Sequence, residues 1–137
     1  SIGKGKLITV DIELLENRPV HERITYIKGS STDEKVVQQI SDMIKENQVV
    51  LVILDSDHNM PHVLREMEIY SEFVSKGCYM IVEDSNINGH PVVSNWGDGP
   101  FEAIQEFLTH NDSFEIEKER EKYYMTFNPN GYLKKVH

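Results

Sequence analysis

The sequence predicts an α/β fold built on a mostly parallel sheet, and three observations support this prediction. Short apolar runs alternate along the chain with segments whose apolar residues recur at helical spacing. The most apolar run, residues 49–54, shows no polar alternation, which is typical of a strand covered on both faces. Runs separated by helices of this length also imply right-handed crossovers, which join parallel strands.

The individual elements follow from the same patterns. Strands are predicted at residues 6–12, 24–27, 49–54 and 79–82, and in the tail at 114–116, 124–126 and 132–136. Helices are predicted after a capping-box pattern of Ser31 with Glu34, from Pro61 to Ser75 before Gly77, and around Phe101 to Leu108. The turn at residues 128–131 predicts an antiparallel C-terminal hairpin. Since no repeat or linker interrupts the 137 residues, we expect a single domain, 1–137.

Composition and charge argue against several classes of protein. The formal net charge is -9 and no stripe of Lys and Arg is present, so neither nucleic acid nor an anionic membrane is expected as a partner. No apolar run reaches the length of a membrane span, and the first residues lack the apolar core of a signal peptide. The single Cys78 lies in an apolar run and fits a reducing compartment. We therefore expect a cytoplasmic protein.

Acidic residues follow the two most apolar of the predicted strands. Asp55 and Asp57 come after residues 49–54, and Glu83 and Asp84 come after the next strand. Because the carboxyl ends of adjacent parallel strands meet at one edge of a sheet, these four carboxylates would lie close together and repel one another. A hard cation such as Mg²⁺ or Ca²⁺ would neutralise them. The sequence thus predicts a divalent-metal site, although any single acid could instead cap the next helix.

Two further residues near these acids are candidates for the chemistry. His58 directly follows Asp57, where an imidazole can serve as a general base or as a metal ligand; the alternative is a surface histidine that caps the next helix. Trp96 lies in a loop rich in Gly, Pro, Asn and Ser at residues 85–99, and is interpreted as part of a substrate lid or as a packed anchor.

A separate acid, Asp11, ends the first predicted strand. In nucleotide-binding α/β folds, an acid in this kind of position accepts hydrogen bonds from ribose hydroxyls. Ser30, Ser31 and Thr32 follow the next strand and are placed either to reach an adenine edge or to cap a helix.

The chain resembles the cephalosporin hydroxylase family, also named rhamnosyl O-methyltransferase, in five blocks: KLITVDIE, RITYIKGSST, VVLVILDSDH, GCYMIVEDSNING and DGPFEAIQEFL. The resemblance covers nearly the whole chain, and the DSDH and VED blocks are its most specific parts. It implies a Rossmann-like fold of the class I methyltransferase type, with S-adenosylmethionine and Mg²⁺, or another divalent cation, as cofactors. More distantly, the same layout is similar to catechol O-methyltransferase.

The resemblance also implies site residues: Asp11 for the ribose, Ser31 and Thr32 for the adenine, and Asp55 or Asp57 with Glu83 and Asp84 for the metal. The first metal ligand stays open, since the spacing of the nearer family suits Asp57, the preferred choice, and that of the catechol enzyme suits Asp55. The catechol enzyme has a lysine base where this chain has Asn59, Met60 and Pro61. His58 is therefore the candidate base.

The family's first strand and its glycine-rich turn, which hold the methionine end of the cofactor, have no counterpart before Ser1. We therefore expect the chain to be the C-terminal portion of an N-terminally truncated methyltransferase domain. The expected function is Mg²⁺-dependent O-methyl transfer to a hydroxyl of a small molecule or a sugar-containing natural product. The alternatives are a metal-dependent nucleotide-sugar glycosyltransferase that uses the Asp-Ser-Asp motif, and a non-catalytic fragment that acts as a scaffold or dimer partner. A homo-oligomer is left open.

Overall fold

The computed structural model describes residues 4–123 and 125–137. The chain divides into two compact units, Ser1–Lys45 and Glu46–His137. Both units combine strands and helices, one around a parallel pair of strands and the other around a mixed four-stranded sheet, so the predicted α/β fold class is confirmed.

The N-terminal unit contains two parallel strands and one helix: β1 (Leu7–Asp11), β2 (Ile24–Lys28) and α1 (Glu34–Met43). Val36 and Ile40 lie four residues apart on one face of α1 and are its buried residues. The chain passes close to this face after β2, where a Cβ added at Gly29 would meet Val36 Cγ2 at 2.6 Å. Because β1 and β2 are parallel, Asp11 and the loop after Lys28 lie at the same end of this unit.

Helix α1 begins two residues later than a cap at Ser31 would allow. Asp33 is the N-cap residue, and its Oδ1 accepts a hydrogen bond from the backbone N–H of Lys35 at 2.8 Å. The predicted capping box of Ser31 with Glu34 is therefore wrong. An aspartate directly before the first helical residue competes successfully with a serine that stands further upstream.

The C-terminal unit contains the remaining elements: β3 (Val52–Leu54), α2 (Met60–Tyr70), β4 (Tyr79–Val82), α3 (Pro100–His110), β5 (Phe114–Ile116), a short 3₁₀ helix (Lys118–Glu121) and β6 (Tyr132–Lys135). The strand order is β3-β4-β6-β5. β3 and β4 are parallel, whereas β6 is antiparallel to both of its neighbours. Leu54 pairs with Val82, so the residues that follow β3 and β4 emerge side by side at one edge.

The core of this unit lies between the sheet and helices α2 and α3, which contact each other. Its fully buried apolar residues come from both layers: Met67, Met80, Val82, Ala103, Ile104 and Leu133. Burial of this apolar surface is the main force that fixes the two helices against the strands. The helical spacing of the apolar residues in α2 and α3 is thus confirmed as a core-facing stripe.

Helix α2 ends at Tyr70, five residues before the predicted end at Ser75. The backbone N–H of Ser75 donates to the carbonyl of Val50, and Ser75 Oγ accepts from the N–H of Val50. These bonds to the segment before β3 take the place of a further helical turn.

The predicted strand at 49–54 is shorter than expected, and one of its faces is not covered. Only Val52–Leu54 forms the strand, which is first in the strand order of this sheet. Val49, Leu51 and Ile53 are exposed while Leu54 is buried. The prediction of cover on both faces is therefore wrong for the described residues, because the face of β3 that carries Ile53 is exposed and only the face that carries Leu54 packs inward.

The prediction that residues 124–126 pair with the last strand is also wrong for the described residues. Residues 128–131 do form a turn, in which the N–H of Gly131 donates to the carbonyl of Asn128 at 2.9 Å. However, Met125 and Thr126 are not in a strand, and residue 124 lies outside the described residues. β6 instead pairs with β4 and β5, because the segment before the turn is hydrogen-bonded to the loop that follows β4.

Candidate functional site

Three of the predicted site residues converge at the carboxyl edge of β3 and β4. His58 Nε2 lies 3.5 Å from Asp55 Oδ1 and 3.5 Å from Asp84 Oδ2. One potential ligand atom from each residue lies within 4.8 Å of the other two. Around octahedral Mg²⁺ with ligands at about 2.1 Å, adjacent ligand atoms are about 3.0 Å apart and opposite ligand atoms about 4.2 Å apart. The three side chains therefore fit one small divalent cation.

The imidazole nitrogen Nε2 of His58 is a second observation that indicates a bound ligand in this cluster. His58 Nε2 is buried, and among the described residues none makes a hydrogen bond of good geometry to it. A buried polar atom without a hydrogen bond is costly and calls for an explanation in each case. The donor set around it, two carboxylates and an imidazole, is one that a divalent cation accepts.

Asp84 is directed into the cluster by a sharp turn after β4. Its φ of 52° lies in the left-handed region, which Asp adopts more readily than most residues. The backbone N–H of Asp84 donates to Asn128 Oδ1 at 3.0 Å, and Ser85 Oγ donates to the carbonyl of Pro129 at 2.7 Å. Both bonds come from the turn before β6, so this turn supports the position of Asp84.

Asp57 and Glu83 lie beside the cluster but do not contribute to its three converging atoms. Asp57 Oδ1 accepts hydrogen bonds from the backbone N–H of Asn59 at 3.1 Å and from the Asn59 side-chain amide. This carboxylate thus stabilises the turn that leads into α2. Glu83 continues the strand pairing, since its N–H donates to the carbonyl of Leu54 at 2.9 Å.

A buried glutamate under the loop after β3 was missed by the sequence reasoning. Glu66 is only 2% exposed, and its Oε2 accepts a hydrogen bond from Ser56 Oγ at 2.8 Å. Its Oε1 lies 3.5 Å from His62 Nε2. Burial, and then the negative charge of Glu66, raises the pKa of Tyr70 to about 12. The available signal was a charged residue next to Met67 on the apolar stripe of α2.

A second glutamate, Glu102, organises the loop between β4 and α3. Its carboxylate accepts hydrogen bonds from Gly99 N–H at 2.8 Å and from Asn88 Nδ2 at 3.0 Å, and it lies 2.8 Å from His90 Nε2. Burial raises the pKa of Glu102, but these hydrogen bonds outweigh burial and lower it to about 2. The ring of His90 stacks on Phe101. The loop is therefore held to the start of α3.

The same loop is also attached to the site through Trp96. The indole N–H of Trp96 donates to the backbone carbonyl of His58 at 3.1 Å, and the N–H of Met60 donates to the carbonyl of Asp98 at 3.0 Å. Even so, the Trp96 side chain remains about half exposed. The ring is anchored beside His58 and still presents a face to solvent.

Replacing Glu102 with glutamine is expected to loosen this loop and to change its response to acid. The folded-state pKa of Glu102 is lowered from 4.5 to about 2, so the stability that Glu102 contributes is present above pH 4.5 and is lost as the pH falls toward 2. The fluorescence anisotropy of Trp96 between pH 7 and pH 2 measures this transition, since Trp96 is the single tryptophan. The wild-type signal should fall only below pH 4.5, and the Glu102→Gln signal should be low throughout.

Glu106→Gln is the matched control for this experiment, because Glu106 is also on α3 but its carboxylate is paired, within the described residues, with His110 alone, at 3.6 Å. Its anisotropy profile should follow the wild type. Identical profiles for Glu102→Gln and Glu106→Gln would show that Glu102 does not hold the loop.

The predicted cofactor residues lie in the N-terminal unit. Asp11 ends β1, is exposed, and accepts a hydrogen bond at Oδ1 from the N–H of Glu13 at 2.9 Å. Ser31 and Thr32 lie in the loop after β2, where Thr32 Oγ1 is 3.1 Å from Ser30 Oγ. Since β1 and β2 are parallel, this loop and Asp11 share one end of the unit.

Within the described residues, no helix is both long enough and apolar enough to cross a membrane.

Comparisons with known proteins agree with the family that the sequence resembles. The family model described as Rhamnosyl O-methyltransferase/CmcI matches residues 2–136. A rhamnosyl O-methyltransferase of Mycobacterium tuberculosis (strain ATCC 25618 / H37Rv) is 42% identical over 135 residues, covering 93% of this chain and 55% of the relative. That of Mycobacterium leprae (strain TN) is 38% identical over 133 residues, covering 93% and 58%. The chain thus spans little more than half the length of these relatives.

Two solved structures of MycE methyltransferase from the mycinamycin biosynthetic pathway have a similar fold. The complex with Mg and SAH gives a TM-score of 0.57 at 17% identity and covers 97% of this chain and 37% of that one. The complex with Mg, SAH and mycinamycin VI gives 0.54 at 18% identity and covers 76% and 28%. The class I methyltransferase fold is therefore confirmed. Since the family model matches nearly every residue, the chain belongs to the Rhamnosyl O-methyltransferase/CmcI family.

Proposed function

We propose that this chain carries the metal site and the ribose and adenine contacts of a Mg²⁺-dependent S-adenosylmethionine O-methyltransferase that acts on a hydroxyl of a sugar-containing or other small molecule. The observation that carries the proposal is the convergence of Asp55, His58 and Asp84 at the carboxyl edge of two parallel strands. Membership of a rhamnosyl O-methyltransferase family supports methyl transfer, and fold neighbours in complex with Mg and SAH support the two cofactors.

In the proposed site, Asp55 and Asp84 hold the metal, and Glu83 stands beside them as a further ligand. A divalent cation in this position supplies a Lewis acid that lowers the pKa of the acceptor hydroxyl. The carboxylates orient the acceptor oxygen for an in-line approach to the methyl group. With the cation held by the two carboxylates, His58 Nε2 would stay uncoordinated, 3.5 Å from Asp55 Oδ1 and from Asp84 Oδ2, and would take the hydroxyl proton.

The cofactor contacts that we propose lie in the N-terminal unit. Asp11 binds the ribose hydroxyls, and Ser31 and Thr32 contact the adenine. Asp11 supports this role because it is exposed at a strand end, and the one hydrogen bond that its side chain makes within the described residues is from Glu13 N–H to Oδ1.

A nucleotide-sugar glycosyltransferase is the second candidate, and the geometry disfavours it. An Asp-x-Asp motif of that kind presents its acids to one cation, whereas Asp57 Oδ1 already accepts two hydrogen bonds from Asn59. A small-molecule acceptor and a cytoplasmic location stay predictions.

Thermal unfolding with ligands tests the proposed function against the second candidate. S-adenosylhomocysteine with Mg²⁺ should stabilise the protein, and a ligand at about tenfold above its Kd contributes about 1.4 kcal/mol, on the order of 5 °C in Tm. Uridine diphosphate with Mg²⁺ should give no shift. Stabilisation by uridine diphosphate and not by S-adenosylhomocysteine would contradict methyl transfer.

A further inference from the structure

Glu66 is a charged residue on the buried, otherwise apolar stripe of α2. Its side chain is 3% exposed, and its neighbours on the stripe, Val63 and Met67, are buried as well. Taking a carboxylate out of water costs free energy, and an apolar side chain of similar volume often serves a protein core as well or better. Core packing therefore does not account for a glutamate at this position.

The carboxylate of Glu66 has a polar neighbour at each of its oxygens. Oε2 accepts a hydrogen bond from Ser56 Oγ at 2.8 Å, and Oε1 lies 3.5 Å from His62 Nε2. A hydrogen bond to a carboxylate is stronger than one between two neutral groups, and it is stronger still where water is excluded. The side chain of Glu66 thus links helix α2 firmly to the loop after β3.

Ser56 stands between two aspartates whose side chains face different ways. Asp55 Oδ1 lies 3.5 Å from His58 Nε2, in the metal site. Asp57 Oδ1 instead accepts a hydrogen bond from the backbone N–H two residues later, at the start of α2. Because the bond to Glu66 fixes the residue between them, it fixes the backbone from which both carboxylates project.

The carboxylate of Asp55 needs such a restraint. Its side chain is 63% exposed, so packing against the core does little to hold it. On its N-terminal side the backbone is held by the sheet, where the carbonyl of Leu54 accepts from the N–H of Glu83 at 2.9 Å. On its C-terminal side the bond from Ser56 to Glu66 supplies the restraint. Residues behind a metal ligand commonly set its direction, and their removal weakens metal binding by about 10- to 100-fold.

We propose that Glu66 is a positioning residue of the metal site, which acts through Ser56 to hold the carboxylate of Asp55 in place. Without this bond the loop after β3 gains freedom, and the cation must order Asp55 at the expense of binding free energy. The inference rests on the proposed function, from which it takes the divalent cation that Asp55 helps to hold.

Titration of paired variants with Mn²⁺ tests the proposal. Ser56→Ala removes the donor and Glu66→Leu removes the acceptor, and each should weaken Mn²⁺ binding about tenfold. Since both variants remove the same hydrogen bond, the double variant should bind no more than about threefold more weakly than either one alone. Ser56→Thr keeps a hydroxyl donor and Glu66→Gln keeps an oxygen acceptor, so each should bind within about threefold of wild type.

Two measurements on the metal-free protein separate positioning from a merely structural role. Glu66→Leu should leave Tm unchanged or raise it, although its Mn²⁺ affinity falls, because leucine needs no polar partner in the core. In Ser56→Ala, the backbone ¹⁵N order parameters of residues 55–57 should fall from about 0.85 to below about 0.6. A lower Tm in Glu66→Leu, with affinity lost only in proportion to unfolding, would overturn the positioning role.

Glu68→Leu is the matched control for the loss of a negative charge from α2. Glu68 is exposed on the same helix and is paired with Arg65 at 3.1 Å, so its variant should bind Mn²⁺ as wild type does. An equal loss of affinity in Glu68→Leu and Glu66→Leu would overturn the proposal, because charge alone would then explain it. Unchanged affinity in both Ser56→Ala and Glu66→Leu would overturn it too.

Thermal shifts with S-adenosylhomocysteine separate this proposal from the proposed function. If the wild type binds Mn²⁺ and S-adenosylhomocysteine while removal of the Ser56–Glu66 bond leaves Mn²⁺ affinity unchanged, the positioning role is refuted and the proposed function stands. If the variants behave as expected and S-adenosylhomocysteine gives no shift, the positioning role stands and the proposed function fails. A wild type that binds no Mn²⁺ would contradict both.

Discussion

Replacing Gly131 with alanine is expected to lower the free energy of unfolding by about 3 kcal/mol, because an added methyl group would meet the backbone of a neighbouring strand. A Cβ at Gly131 would lie 2.3 Å from the carbonyl oxygen of Val82 and 3.0 Å from Asn128 Cβ. Because the closest atom belongs to the backbone, β4 and β6 must move apart. Urea denaturation followed by circular dichroism measures the loss.

The same substitution should weaken metal binding. The displaced turn contains Asn128, whose Oδ1 accepts the hydrogen bond from Asp84 N–H. Gly77→Ala is the matched control: Gly77 has a φ of 80°, but no atom lies within 4 Å of an added Cβ. It should cost only the conformational strain of a left-handed alanine, about 1 kcal/mol, and leave metal affinity unchanged. Equal losses for the two variants would show that the contact with Val82 is not the cause.

Asp55→Asn is expected to reduce Mn²⁺ affinity on the order of a hundredfold, because a neutral amide replaces a carboxylate whose oxygen lies 3.5 Å from His58 Nε2. Asp84→Asn should have a similar effect. Asp57→Asn should change the affinity less than threefold, since Asn retains an Oδ1 that can accept the N–H of Asn59. Isothermal titration of each variant with Mn²⁺ gives the affinities.

The Asp55 and Asp57 variants form a pair that differs by two positions in one loop, so each is the control for the other. The nearer family's spacing favours Asp57 as the ligand, and the geometry of the loop favours Asp55. A large loss for Asp57→Asn with little change for Asp55→Asn would reverse the assignment and support the family spacing.

The edge of the sheet that carries the site could be predicted from sequence for a simple physical reason. Two apolar runs that each end in acid must leave their carboxylates at one edge if the strands are parallel neighbours. The pairing of Leu54 with Val82 meets this condition. The position of Asp55 and Asp84 at one edge of the sheet could therefore be predicted from the sequence.

Which of the four acids converge could not be predicted from the sequence, because the outcome depends on contacts a few ångströms long. Asp57 is drawn into the turn before α2 by Asn59, and nothing in the order of the residues favours that bond over a bond to metal. The two strands that pair with β6 could not be predicted from the sequence either. Strand pairing across long loops depends on non-local contacts, here those that attach residues 127–129 to the loop after β4.

Glu66 and Glu102 show a further limit of periodicity. A charge on the buried stripe of α2 signals an internal partner, but the stripe does not reveal that the partner is Ser56, between two site acids. Likewise, the position of Glu102 at the start of α3 favours contacts with free backbone N–H groups. Only the folded loop shows that Glu102 also binds Asn88 and His90.

The most direct test of the proposed metal site is anomalous diffraction from crystals grown with Mn²⁺, with data collected at the manganese absorption edge. We expect one strong peak within about 2.3 Å of a carboxylate oxygen of Asp55 and one of Asp84, on the side of His58 Nε2. A peak bound by Asp57 without Asp55, or fully occupied Mn²⁺ sites elsewhere and none between Asp55 and Asp84, would contradict the metal centre.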